Sequence, residues 1–260
     1  MNIFQALGRH ILDLAESLGS VTILLQKTLK WIFRGKPDFR NIFAQMLEIG
    51  VRSFPVTSLT ALFTGMVLAL QTGYSFRKVF NEPLYVGTVV GLSLVKELGP
   101  VLTALVVSGR VGAAIAAELG TMNVTEQLDA LYTLGTNPVR YLAVPRFMAS
   151  FLMVPLLTLY ADIIGIIGGS FVAIGRLGIP STVYWNEIQA MQLNECFHGL
   201  IKSFIFAVII VTTACYKGFN CSGGAEGVGR ATTSAVVVSM VLILVSDYFM
   251  SALLVSIGIG

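Results

Sequence analysis

The stretch that decides the fold lies at residues 93–131 and reads SLVKELGPVLTALVVSGRVGAAIAAELGTMNVTEQLDAL. From Leu98 to Ala117 it contains one charged residue, Arg110, and this length is close to the roughly 20 apolar residues that a helix needs to cross a bilayer. Polar residues become frequent again from Glu118 onward. The stretch therefore predicts one transmembrane helix followed by a polar connection.

The composition of the whole chain has the same character. Of its 260 residues, 55% are hydrophobic and 12% are charged, whereas an ordinary soluble domain has about a quarter of its residues charged. So few charges cannot cover a water-exposed surface, which excludes a free soluble domain and a disordered chain. The net charge of +3 is small and scattered, so nucleic acid is not an expected partner. The three cysteines lack metal-ligand spacing, and no metal site is expected. The sequence predicts an integral membrane protein.

The charge-poor stretches predict an all-α fold with five transmembrane helices. A further apolar segment at 83–95 is too short to cross the membrane, so we expect it to be a re-entrant or interfacial piece before the second span. The five-span domain is expected to occupy residues 53–260. The predicted spans are 54–74, 98–117, 147–173, 197–216 and 234–255.

Residues 1–52 have an amphipathic pattern. Apolar residues recur there at helical spacing, and Lys27, Lys30 and Arg34 form a basic stripe. This pattern is typical of helices that lie in the headgroup region of a membrane. A poorly inserted sixth span is the alternative. With the N-terminus in the cytoplasm, eleven basic residues lie on the cytoplasmic side of the predicted spans and four on the outer side, which favours this orientation.

Ionisable residues inside or beside the spans are the first candidates for function. Each costs about 3 kcal/mol or more at a helix centre in hydrocarbon, so such residues usually face a protein interior or a wet cavity. They could form a polar cavity that meets a charged or zwitterionic headgroup, or internal ion pairs such as Lys202 with Asp247 that serve only helix packing. The sequence leaves both readings open. The residues concerned are Lys96, Glu97, Arg110, Asp162, Lys202 and Asp247.

The connection from Glu118 to Arg146 contains a second candidate element. Asn123 or Thr125 could cap a short helix with Glu126 and Asp129 in its first turn, and Gly135 would end it. We expect Leu128, Leu131 and Leu134 on the surface of this helix. It could dock a cytoplasmic partner, or it could be an ordinary interfacial connection.

Small residues predict close helix packing in two spans. They crowd the second span around Gly112, and Gly165 with Gly169 form a GxxxG pattern in the third. The pattern does not distinguish a contact within one chain from a contact in a dimer.

Motifs of catalysis and of ATP binding are absent from the sequence. It has no GxxxxGK[ST] loop, so we expect that this chain does not hydrolyse ATP, and it has neither HExxH nor GxSxG. Its two histidines, His10 and His198, are far apart. We therefore expect no catalytic residues and no enzyme activity.

Residues 93–131 resemble the signature of the MlaE-type permease family, the membrane subunits of ABC transporters that work with MCE-domain proteins in lipid trafficking. Further segments match the family: KPDF (36–39), GMVLALQ (65–71), NPVRYLAVPRF (137–147), LIKSFIFA (200–207) and GRATTSAVV (229–237). The resemblance implies five spans, interfacial N-terminal helices and a homodimer. It also implies a cytoplasmic ATPase subunit that binds ATP and Mg²⁺, so that this chain itself holds no cofactor.

The implied function is to move phospholipid between the bacterial inner membrane and a ring of periplasmic MCE proteins. By resemblance, the coupling helix that contacts the ATPase spans about 118–136, and a lipid cavity opens toward the MCE ring. Lys96 stands where the best-known bacterial members have arginine, and lysine cannot form the same bidentate contact. The residues implied at the cavity are Leu68, Tyr74, Phe76, Phe80, Lys96, Glu97, Lys202 and Asp247. Those implied in coupling are Glu118, Thr125, Glu126, Leu128, Asp129 and Leu131.

Two other function classes fit parts of the sequence. A proton-coupled secondary transporter of a hydrophobic or amphipathic substrate could use Glu97, Asp162 and Asp247 as proton sites, but no inverted repeat is evident. An intramembrane lipid enzyme would need a clustered catalytic constellation, which this sequence does not offer.

Overall fold

The computed structural model describes residues 3–35, 38–80 and 85–258. All regular secondary structure in these ranges is helical. Five helical stretches are long and apolar enough to cross a membrane, and each predicted span lies within one of them. The predicted all-α, five-span fold class is confirmed. The five stretches are Phe39–Lys78, Val86–Val124, Val139–Gly175, Leu193–Phe219 and Gly224–Ser256.

The N-terminal region forms two helices. Helix α1 spans Ile3–Arg34 and is not one of the five apolar stretches, so the sixth-span alternative gains no support. Helix α2 spans Phe39–Ile49, and Asp38 caps it by accepting a hydrogen bond from the Asn41 backbone N–H at 3.3 Å. That α1 lies in the headgroup region stays a prediction.

A short 3₁₀ turn, Val51–Ser53, joins α2 to helix α3, which spans Phe54–Phe80. Helix α3 begins at the residue where the first span is predicted to begin. The two helices form one long stretch because Gly50 between them keeps right-handed helical dihedral angles, and Pro55 lies in the first turn of α3, where a helix tolerates proline.

The second span differs from its prediction. Helix α4 (Val86–Ser93) passes through a first π turn (Leu94–Leu98) into α5 (Gly99–Val107), a second π turn (Ser108–Gly112) and α6 (Ala113–Val124) without a break. The expected re-entrant or interfacial piece at 83–95 is therefore wrong for its described part, which is the first turns of this continuous helix. In the first π turn the Gly99 N–H bonds to the Leu94 carbonyl, five residues back, so the helix widens rather than ends ahead of Pro100.

The remaining helices complete the bundle. Helix α7 (Gln127–Thr133) lies in the connection after α6, and a third π turn (Val139–Ala143) leads into α8 (Val144–Gly175). Helix α9 (Ser181–Gln189) lies at the end of the bundle opposite α7. Two long helices follow, α10 (Leu193–Phe219) and α11 (Gly224–Ser256).

The main hydrophobic core lies where α5, α6, α8 and α10 meet. Leu119, Leu157, Phe206 and Ile210 are almost completely buried there. A second, smaller core lies at the end opposite α7, around Val90 and Tyr184. The Tyr184 hydroxyl donates to the Ile166 carbonyl at 2.9 Å, and burial together with the nearby Glu187 carboxylate raises the pKa of the phenol.

Glycines allow α3 and α8 to pack closely. A Cβ atom at Gly65 would overlap the Gly165 carbonyl, and one at Gly168 would overlap the Leu62 carbonyl. A Cβ at Gly169 would lie 2.8 Å from the Tyr184 hydroxyl. The predicted GxxxG of the third span therefore serves contacts within one chain.

Candidate functional site

A buried lysine connects three of the spans. Lys202 of α10 has a fully buried side chain, and its Nζ lies 2.6 Å from Glu97 Oε2 and 2.9 Å from Asp247 Oδ1. Glu97 belongs to the first π turn and Asp247 to α11. The predicted pair of Lys202 with Asp247 is present, and Glu97 joins it. We call these three residues the lysine cluster.

The backbone of the first π turn completes the coordination of the lysine. Lys202 Nζ also donates to the Lys96 carbonyl at 3.2 Å. In a regular helix the N–H of residue 100 would bond to that carbonyl, but Pro100 has no N–H. The proline thus leaves an acceptor that a cation from another helix can use.

Two further polar side chains lie beside the lysine cluster. Ser251 Oγ lies 3.0 Å from Glu97 Oε1 and 2.9 Å from the Asp247 carbonyl oxygen, and its one proton can be donated to either acceptor. His198 Nε2 lies 3.9 Å from Glu97 Oε1. The side chain of Lys96 turns the other way and lies 3.8 Å from Glu195 Oε1. The network therefore extends along α10 toward its first turn.

The two carboxylates of the lysine cluster are more accessible than the lysine. The Glu97 side chain is 44% exposed and that of Asp247 is 21% exposed, whereas Lys202 is 0% exposed. The buried ammonium balances only one of the two negative charges. A partly exposed surface with excess negative charge can interact with an incoming cationic or zwitterionic group.

The apolar residues predicted at a lipid cavity do not converge on one pocket. Leu68 lines a groove of about 340 Å³ together with Val67 and Leu98, the residue after Glu97. Tyr74 is exposed on α3, and Phe76 is half-buried against the second core. The side chain of Phe80 lies outside the described part of the chain. The structure thus brings Glu97, Lys202 and Asp247 together, with Leu68 near Leu98.

Asp162 is not a member of the lysine cluster. It is buried in α8, and a Cβ at Gly99 would overlap its Oδ1 atom. Within the described residues this oxygen has no hydrogen-bond partner. Glycine at position 99 is what allows the carboxylate to lie against the second span.

The predicted coupling element is shorter than expected. Helix α7 begins at Gln127, and Glu126 precedes it with a positive φ of 61°, so Glu126 is not in its first turn. The predicted caps are wrong: Thr125 Oγ1 donates to the Thr121 carbonyl at the end of α6, and Asn123 Nδ2 donates to the Cys221 carbonyl. Gly135, with φ of 73°, follows the end of α7 as predicted.

The faces of α7 also differ from the expectation. Leu128 is 6% exposed in the main core and Leu131 is half-buried against it, so their predicted surface position is wrong. They face inward because α7 folds back onto the main core of the bundle. The outward face carries Glu126, Asp129 and Tyr132, all exposed.

Glu118 lies in α6 and forms an ion pair that the sequence analysis missed. Its Oε2 is 2.7 Å from Nη2 of Arg146, which is buried and also donates from Nη1 to the Leu142 carbonyl at 2.9 Å. The pair joins the end of the second span to the start of the third. The sequence did contain a signal for this ion pair, because an acidic residue ends one span and a basic residue begins the next. The sequence also placed Ser251 one helical turn after Asp247, on the same side of α11, which could have suggested its contact with the lysine cluster.

The comparisons with known proteins agree with this architecture. A family model described as "Permease MlaE" matches residues 42–253. The chain is 45% identical over 255 residues to a probable ABC transporter permease protein of Rickettsia typhi, covering 98% of each chain. It is 36% identical over 264 residues to the intermembrane phospholipid transport system permease protein MlaE of Haemophilus influenzae, covering 99% of each.

A plant relative extends the range of similar proteins. The chain is 38% identical over 235 residues to the chloroplastic protein TRIGALACTOSYLDIACYLGLYCEROL 1 of Arabidopsis thaliana, which covers 90% of this chain and 67% of the relative. The family match includes all five membrane-spanning stretches, either whole or in large part, together with the lysine cluster and α7. The chain belongs to the MlaE permease family and is an ABC transporter permease.

Proposed function

We propose that this permease moves phospholipid between the bacterial inner membrane and a ring of periplasmic MCE-domain proteins, driven by a separate ATPase subunit. The single observation that carries the proposal is the lysine cluster, in which a buried ammonium holds two partly exposed carboxylates at one end of the bundle. The name of the Haemophilus relative, an intermembrane phospholipid transport system permease, supports phospholipid as the substrate.

Coupling to the ATPase is assigned to α7. The chain itself has no phosphate-binding loop, so ATP and Mg²⁺ would be bound by the partner. Asp129 and Tyr132 are exposed on α7 and Glu126 is exposed just before it, while Leu128 holds the helix to the main core. A displacement of α7 by the ATPase would therefore move the helices of the main core, because Leu128 is packed among them.

A second copy of the chain is the proposed partner within the membrane. Helix α11 has few buried residues, and its exposed side includes Val241, Leu244, Val245 and Tyr248. Such an apolar face contacts either lipid or another helix. Because Asp247 lies on the same helix, movement of α11 against a second copy would change the surroundings of the lysine cluster.

In the proposed cycle, ATP-driven closure of the partner displaces α7 and with it the ends of α6 and α8. The Glu118–Arg146 ion pair makes these two ends move together. The rearrangement reaches α11 and the lysine cluster at the opposite end, where the carboxylates meet the lipid headgroup. The N-terminus is placed on the cytoplasmic side, together with α7.

The test is reconstitution with the two partners. Co-expression with a phosphate-loop ATPase and an MCE-domain protein should yield one complex that carries phospholipid, as identified by mass spectrometry. In vesicles, this complex should transfer a fluorescent phospholipid to the MCE protein only with ATP. Lipid transfer by the isolated chain in a pH gradient, without the ATPase, would overturn the proposal in favour of secondary transport.

Charge reversal on α7 tests the coupling assignment. Asp129→Lys should prevent co-purification of the ATPase while the chain still folds, because Asp129 is exposed. The matched control is Glu226→Lys, an exposed carboxylate on α11 near the same end of the bundle. The coupling assignment is wrong if Asp129→Lys keeps the ATPase bound and lipid transfer intact.

A further inference from the structure

A pocket of about 440 Å³ lies beside the point where two membrane-spanning stretches begin, at the end of the bundle that carries α7. It is enclosed by four segments: the end of α1, the start of α2, the chain around residues 135–137 and the start of α8. Apolar side chains such as Ile42 and Met148 contribute to its lining. Its polar and aromatic side is formed by Trp31, Asp38, Asn137, Arg140 and Tyr141.

Arg140 is the cation of this pocket. Its guanidinium carbon lies 5.4 Å from the ring centroid of Trp31, and the side chain is exposed. Among the described residues it forms no ion pair. An arginine held by an aromatic ring keeps its N–H donors available for an anion.

Asp38 supplies the opposite charge. Its Oδ1 atom accepts one hydrogen bond from the Asn41 N–H, and a carboxylate has capacity for several more. Asp38 also has no ion-pair partner among the described residues. Asn41 Nδ2 donates to the Tyr141 carbonyl at 3.4 Å, which ties α2 to the opposite wall. The pocket therefore has the Arg140 guanidinium on one wall and the Asp38 carboxylate on the other, and the hydrogen bond from Asn41 to Tyr141 connects the two walls.

The position of the pocket suits a lipid headgroup. Tryptophan and tyrosine are enriched at membrane–water interfaces, and Trp31 and Tyr141 both line this pocket. Immediately after Asp38, helix α2 presents exposed apolar residues at positions four apart: Phe39, Phe43 and Leu47. A molecule with its polar group beside Asp38 could lay an apolar chain along this stripe.

We propose that this pocket binds the headgroup of a phospholipid that carries both a phosphate and a primary amine, such as phosphatidylethanolamine. The phosphate contacts the Arg140 guanidinium, which can donate two hydrogen bonds to it. The ammonium contacts the Asp38 carboxylate. A headgroup with the phosphate alone would place negative charge near Asp38 without compensation. This binding site does not depend on the proposed transport, because it lies at the opposite end of the bundle from the lysine cluster.

The experiment measures lipid retention by the full-length chain. The purified, delipidated protein is mixed with equal amounts of phosphatidylethanolamine and phosphatidylglycerol of identical acyl chains, and bound lipid is measured by native mass spectrometry. The wild type should retain phosphatidylethanolamine in preference. Arg140→Gln should lower its retention about tenfold, which is the effect of losing one charge-assisted contact. Asp38→Asn should abolish the preference between the two lipids.

The matched control is Arg40→Gln, which removes the same charge from an exposed residue of α2 outside the pocket lining. It should leave retention unchanged, and an equal loss in Arg40→Gln and Arg140→Gln would overturn the proposal. Retention unchanged in Arg140→Gln would overturn it as well, and so would equal retention of both lipids by the wild type.

A second measurement does not rely on those variants. The chain contains two tryptophans, Trp31 and Trp185. In a Trp185→Phe chain, phosphatidylethanolamine should therefore shift the emission of Trp31 more strongly than phosphatidylglycerol does. The same shift with both lipids would overturn the role of Asp38. Failure of lipid transfer in the reconstituted complex would leave these binding results unaffected.

Discussion

The two ends of the bundle each contain a buried cation, and the two cations are held differently. Lys202 is enclosed by two carboxylates and one backbone carbonyl that come from two other helical segments. Arg146 has one carboxylate, on Glu118, and a carbonyl of its own helical stretch. The Glu118 side chain is 57% exposed, so this carboxylate is largely hydrated.

This difference determines what each cation stabilises. Removing the lysine leaves two partly exposed carboxylates of like charge close together, with no ammonium between them. Removing the arginine leaves a carboxylate that water already reaches. We therefore infer that the lysine cluster is needed to hold three spans together, whereas the arginine mainly fixes the junction beside α7.

The largest effect is expected for Lys202→Met. It should lower the free energy of unfolding in detergent by about 4 kcal/mol, because breaking a buried ion pair leaves uncompensated charge. The matched control is Lys217→Met on the same helix, which should cost less than about 1 kcal/mol. Adding Glu97→Gln and Asp247→Asn to Lys202→Met should recover part of the loss. Similar losses for Lys202→Met and Lys217→Met would contradict the comparison.

The second effect tests the asymmetry of the other pair. Glu118→Ala should cost about 3 kcal/mol, because it leaves the buried Arg146 guanidinium without a counter-charge. Arg146→Met should cost less, about 1–2 kcal/mol, because Glu118 can be solvated and only the hydrogen bonds are lost. Thermal or denaturant unfolding of both variants checks the order, and the reverse order would show that Glu118 is not solvated in the folded chain.

The smallest effect is expected for Ser251→Ala. This hydroxyl has one proton to donate to Glu97 or to the Asp247 carbonyl, so its loss should cost about 1 kcal/mol. The control is Ser256→Ala, an exposed serine near the end of the same helix, which should change the free energy of unfolding by less than about 0.5 kcal/mol. Identical values would mean that Ser251 adds nothing to the lysine cluster.

Hydropathy and charge predicted the number of spans and the start of α3 at Phe54, because one long apolar run per crossing is a strong signal. The residue preferences of helix ends predicted the glycine that follows α7. Whether a segment inserts into the membrane depends mainly on its apolar composition, which can be read directly from the sequence. The pairing of Lys202 with Asp247 could be suggested because so few charges occur in the spans.

The missed features depend on contacts between distant segments. The pattern around Thr125 resembles a helix start, but Thr125 bonds back into α6 and Glu126 takes a left-handed backbone conformation instead. Leu128 is buried because the main core offers a surface to α7. Neither outcome can be predicted from residues 118–136 alone. The packing of α3 likewise places the apolar residues Leu68 and Phe76 of the predicted lipid cavity in different surroundings.

The two π turns of the second span have a consequence for register. One residue corresponds to about 100° of rotation around a helix axis, so each π turn changes which side of the downstream helix faces the bundle. Glu97 lies in the first π turn and Arg110 in the second, and Arg110 Nη1 reaches Ser53 Oγ at 2.8 Å. A one-residue deletion between them would keep the helix long enough to cross the membrane. It would nevertheless turn one of these two charged residues away from its partners, so angular phase rather than length is the property that this helix must conserve.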